Sequence, residues 1–285
     1  MEKTKKTQET KKAQVTKKDA ALERDSAKEW MEDKASKEKK EKRLPLAQAH
    51  PVLWGVGMAV WVGLCLFLTQ ILLGFIVGIL VKMGALSETA LGKPVAQFIA
   101  SAVVYVVSSL IAILVPKYVR KIGTNREELG LRGMPTWTDI LLSPIGFIVT
   151  MLGGMLLTGV LALMLPNLDW QQTQELGFTN IVSRIEIFEA FLTLVVIAPI
   201  AEELMFRGWL YGKLRCNLGA PIAILITSLL FGIMHGQWNV GVVTFVMSVV
   251  MCLQREMTGT IYSGILTHMI KNGVAFYILF MMGRF

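Results

Sequence analysis

Charge is what this 285-residue sequence lacks, and the shortage begins at residue 51. Residues 51–285 hold 14 Lys+Arg and 11 Asp+Glu, about 11% of that stretch, where a soluble domain carries about 25%. That excludes a soluble enzyme. Cysteine is scarce as well. The three present are an odd number, and Cys65 and Cys252 lie inside apolar runs, which excludes a secreted disulfide scaffold. The first 50 residues are polar and show no cleavable signal pattern, so the first apolar run is expected to serve as an uncleaved anchor. Histidine occurs three times, and neither HExxH nor GxSxG is found, which argues against a zincin and against a serine-hydrolase elbow.

What is present divides into two materials. Residues 1–50 carry 15 of the 29 basic groups and 10 of the 21 acidic ones. Their alternating signs and the lack of any nucleic-acid module argue against a nucleic-acid partner despite a net charge of +8. This segment is expected to be a disordered cytoplasmic tail. Residues 51–180 are expected to form N-terminal membrane helices, and 181–285 a catalytic membrane core.

The apolar body offers seven candidate spans: Val52–Val81, Val95–Val115, Thr138–Leu165, Ile185–Phe206, Pro221–His235, Val240–Leu253 and Ile261–Met282. The fold class is therefore all-α, a polytopic bundle of about seven transmembrane helices. Basic residues cluster before the first span and in the second, fourth and sixth connections, including Lys117, Arg120, Arg126, Arg132, Lys213, Arg215 and Arg255. The positive-inside rule then puts the N-terminus in the cytoplasm, and the localisation expected is multi-pass in a bacterial plasma membrane. Trp54, Trp137, Trp170 and Trp238 fall near span ends, where indoles favour the interface. Gly74 and Gly78 form a GxxxG, a signal for close helix packing.

Against this background a few polar residues stand out, because an ionisable group at depth costs about 2.5–3.5 kcal/mol on insertion scales. Glu202 and Glu203 are adjacent, and Arg207 lies four residues after Glu203 on the same helix face. Helical rotation turns Glu202 about 100° from its neighbour, so one carboxylate can be held while the other faces a cavity. Pro199 can loosen the helix just upstream. His235 ends the fifth run, and His268 and Asn272 share a face of the seventh. Lys271 is off that face.

Together these groups are the parts of a water-activating hydrolytic site: a Glu and a His to take a proton, a His and an Asn to stabilise an oxyanion. Glu202, His235 and His268 are equally the donor set of a catalytic zinc. One tension follows from the span limits. They put Glu202 about 6 Å and His268 about 10 Å from one membrane face but His235 about 20 Å in. Convergence then requires a tilted or broken span, or limits wrong by several residues.

The segments EELMFR (Glu202–Arg207), FGIMH (Phe231–His235) and HMIKN (His268–Asn272) resemble the EExxxR, FxxxH and HxxxN motifs of the CPBP, or Abi, family, which includes the type II CAAX prenyl proteases. The similarity covers roughly Ile185–Gly273. It implies a helical bundle with a cavity open to the cytosol and an intramembrane endopeptidase acting on a membrane-associated polypeptide. By the resemblance, Glu202 activates water with His235 as partner, and Glu203 with Arg207 braces the site. His268 and Asn272 stabilise the oxyanion or help bind a metal, and Phe231 packs alongside. Zinc or a metal-free glutamate mechanism fits the motifs equally. The alternative reading is a non-catalytic scaffold or immunity-type protein of the same family.

Overall fold

The computed structural model describes residues 50–120, 122, 124–172 and 183–282; the charged tail expected to be disordered lies outside them. Every regular element among the described residues is helical. The first run becomes α1 (Pro51–Lys82), opened by a proline at its first turn. A short α2 (Glu88–Leu91) leads into α3 (Pro94–Val119). Thr136 and Asp139 form a reciprocal capping box that starts α4 (Trp137–Met164).

The fourth run is the most altered. Ser183 and Glu186 cap α5 (Arg184–Phe191), which passes into a π-helical segment (Leu192–Ile197), then α6 (Ala198–Glu203), a second π segment (Leu204–Tyr211) and α7 (Gly212–Leu218). The helical path therefore continues to Leu218, twelve residues past the Phe206 limit read from hydropathy. Gly219, at φ +80°, breaks the chain before α8 (Ala220–Ile233). Then come α9 (Trp238–Thr258), stopped by Gly259 in the left-handed conformation, and α10 (Tyr262–Phe276), which ends in a π turn (Tyr277–Met281).

Among the described residues five helices are long and apolar enough to cross a membrane: α1, α3, α4, α9, and α10 with its π turn. The chain is a multi-pass integral membrane protein. α8 is apolar but has 14 residues, about 21 Å of rise against a hydrocarbon core of about 30 Å. The 184–218 stretch is divided by its π segments.

The helices α9 and α10 pack on α4, α8 lies between α9 and α1, and α1 pairs with α3. Glycines mark the closest approaches. A Cβ on Gly232 of α8 would lie 2.8 Å from the Gly241 carbonyl of α9, and one on Gly241 would lie 3.0 Å from the Gly232 carbonyl. Gly74 and Gly78 do not behave as expected, since a Cβ at either would meet nothing within 4 Å. The buried residues of α1 end at Thr69. Trp54 also departs from expectation: it is buried in the core, whereas Trp137 and Trp238 are exposed.

The connections sort to two ends. At one, Lys213 Nζ pairs with Glu128 (2.7 Å), Arg255 donates to the Glu128 and Gly208 carbonyls (2.6 and 3.0 Å), Arg215 binds Glu256, and the Ile261 N–H bonds the Gly130 carbonyl. The second, fourth and sixth connections thus share one side. At the other end, Asn239 Nδ2 donates to the Gln172 carbonyl, joining the third and fifth.

Candidate active site

The extension of the fourth helix to Leu218 moves Glu202 toward the level of His235. His268, six residues into α10, lies 3.9 Å from Glu202, so α7 ends and α10 begins at different levels. Glu202 now lies sixteen residues from Leu218, about 24 Å of rise, which matches the far end of α8 where His235 sits.

The π segment before Glu202 has an identifiable cause. The Ala198 N–H bonds the Thr193 carbonyl, five residues back. In that register the Leu194 carbonyl awaits the N–H of residue 199, which is proline and has none. Asn272 Nδ2 on α10 donates to that carbonyl at 2.9 Å. Pro199 therefore creates the acceptor, and Asn272 fills it, tying α10 to the helix that carries both glutamates.

The two glutamates have different surroundings. Glu203 is fully buried. Its Oε1 accepts from Arg207 Nη1 at 2.8 Å and lies 3.1 Å from His268 Nδ1. Gly264 of α10 makes room for its other oxygen, since a Cβ there would lie 3.2 Å from Oε2. The Arg207 guanidinium lies over the Phe231 ring at 4.1 Å, a cation–π contact in a desolvated setting. Glu202 is 14% exposed. Its Oε1 accepts from the Tyr105 hydroxyl at 2.9 Å. Its Oε2 has no hydrogen-bond partner and lies 3.9 Å from His268 Nε2.

Phe231 connects the imidazoles, its ring centroid 5.0 Å from that of His235 and 5.9 Å from that of His268. His235 Nδ1 bonds the Phe231 carbonyl at 2.8 Å, and His235 is within electrostatic reach of Glu202 and Lys271. A carbonyl only accepts, so His235 donates from Nδ1 and, when neutral, presents Nε2 as an acceptor. The same holds for a neutral His268 whose Nδ1–H faces the Glu203 carboxylate. Asn272 keeps a second amide N–H as a donor.

Among the described residues no three His, Cys, Asp or Glu side chains group so as to hold a metal ion. One nitrogen of each imidazole faces a protein acceptor, which leaves the other nitrogen available to a water or a ligand.

All the motif residues fall in one stretch, and residues 185–274 match the family model for type II CAAX prenyl endopeptidase Rce1-like proteins. Over this stretch the chain is similar to the Rce1-like proteins. The match supports a CAAX-type intramembrane protease fold. The UPF0177 protein YxdF of Lactococcus lactis subsp. lactis (strain IL1403) is 32% identical over 63 residues, which is 22% of this chain and 34% of that protein. The chain thus matches about a third of the length of that curated relative. No solved structure matches.

Tyr105 lies outside the Rce1-like segment, and sequence reasoning missed it. The signal was a phenol with Ser108 and Ser109 inside an apolar run, a polar patch that needs partners in lipid.

Proposed function

We propose that the chain is an intramembrane endopeptidase that hydrolyses a peptide bond of a membrane-associated polypeptide, with Glu202 as general base. The observation that carries this reading is the free, buried Oε2 of Glu202 facing His268 Nε2 across 3.9 Å. A water about 2.8 Å from each atom would bridge them. Glu202 takes the water proton as the oxygen attacks the scissile carbonyl, and returns it to the leaving amine. The water's other hydrogen is accepted by His235 or His268, and the two imidazoles together orient it. The second N–H of Asn272 is the donor left for the oxyanion. Glu203 with Arg207 fixes His268 and so acts through it. No step goes through a metal. A prenylated CAAX protein and a peptide precursor both fit as substrates reached from the cytosolic side.

The test is cleavage of a membrane-peptide library by the reconstituted protein. Glu202→Ala is expected to abolish product, and His235→Ala to slow cleavage about 10²–10⁴-fold, the usual worth of a positioned acid–base group. Cleavage is expected to survive exhaustive chelation. Loss on chelation with recovery on adding zinc would transfer water activation to a metal. Full activity of Glu202→Ala would overturn the reading.

A further inference from the structure

We propose that Tyr105 is a positioning residue that selects which oxygen of Glu202 acts as the base; this rests on the general-base reading of Glu202 above. A carboxylate has two equivalent oxygens and a freely turning terminal torsion. Here the equivalence is broken. The Tyr105 hydroxyl donates to Oε1 at 2.9 Å, while Oε2 is left without a partner beside His268. The donor comes from α3, a helix outside the Rce1-like segment that packs directly on α6. The site is therefore completed by the N-terminal half of the bundle.

The surrounding turn of α3 is built to deliver this one group. Ser108 and Ser109 return their hydroxyls to α3's own carbonyls, Ser108 to Val104 and Ser109 to Tyr105, each at 2.6 Å. The phenol is left to cross to the neighbouring helix. Trp61 Nε1 on α1 donates to the Ala112 carbonyl two turns further along α3, which ties α3 to α1. Tyr105 has a rigid ring with few torsions, so the hydroxyl arrives at a fixed place. In an apolar medium a phenolic O–H seeks an acceptor in any case, and satisfying Tyr105 alone would need nothing more than that. The asymmetry at Glu202 is the added observation: the bond occupies the oxygen remote from His268 and leaves the nearer one open.

The experiment measures initial rates against substrate concentration in proteoliposomes for wild type, Tyr105→Phe and Glu202→Ala, using one peptide that wild type cleaves. Rates are normalised to folded protein by the size-exclusion peak. Tyr105→Phe keeps the ring and removes the hydroxyl. It is expected to lower kcat about 10- to 100-fold, in line with the cost of misplacing a reacting group by about 1 Å, with KM unchanged. Measured by fluorescence, binding of the same peptide to Glu202→Ala is expected to be unaffected by adding Tyr105→Phe. A wild-type kcat in Tyr105→Phe while Glu202→Ala is inactive overturns this inference and leaves the general-base reading standing. A raised KM with kcat held would make Tyr105 a substrate contact and also overturn it. Full activity of Glu202→Ala removes the general-base reading itself.

Discussion

At the scale of single residues, the site depends on two adjacent carboxylates having unlike partners. Glu203 is neutralised inside the bundle by Arg207 and bonded to His268, with no exposure on either member of the ion pair. Removing one member of a buried pair leaves an uncompensated charge and costs about 3–5 kcal/mol, whereas replacing both by apolar groups of similar size is often close to neutral. Arg207→Ala is therefore expected to lower stability in detergent by that amount. The double variant Glu203→Leu/Arg207→Met is expected to regain most of it while losing cleavage, because His268 is no longer held. Chemical denaturation followed by intrinsic fluorescence measures both. Equal losses in the single and double variants would show that the pair is not the stabilising unit.

Among the helices, the informative feature is the π segment at Leu192–Ile197. Its cause was partly legible: Pro199 and Asn272 are both visible in the sequence. Their connection through the Leu194 carbonyl is not visible, because it depends on a five-residue hydrogen-bond register that no periodicity reveals. Asn272→Ala leaves that carbonyl unpartnered, at a cost of about 1–3 kcal/mol. In a Pro199→Ala background residue 199 regains an N–H, and the cost of Asn272→Ala is expected to shrink by half or more. A double-mutant cycle in thermal unfolding reads the coupling; equal costs in both backgrounds would contradict the account. Other features of the elements were legible in advance. The polar clusters on the fourth, fifth and seventh runs stood out because their surroundings carry so little charge. The helix outruns the Phe206 limit because hydropathy falls at Arg207, Lys213 and Arg215 before the helix ends. In the structure they are held by Glu203, Glu128 and Glu256, and the helix runs on to Leu218. The GxxxG at Gly74 and Gly78 misled because small residues permit close packing but do not supply a neighbour.

For the whole molecule, three connections rich in basic residues meet at one end. We propose, from the positive-inside rule, that this end is cytosolic. Cys216 at this end is exposed, while Cys65 and Cys252 are buried. A membrane-impermeant maleimide is expected to label the protein once, at Cys216, in inside-out vesicles and not in right-side-out ones. The reverse pattern would invert the topology.

The account's central claim is that Glu202 removes a proton from water. Its most direct test is the single-turnover rate of peptide cleavage by Glu202→Gln in proteoliposomes, compared with wild type at equal folded protein. Glutamine keeps the shape and the acceptor for Tyr105 but cannot take the proton. The predicted result is a fall of at least about 10²-fold with peptide binding preserved. A rate within a factor of two of wild type would contradict the claim.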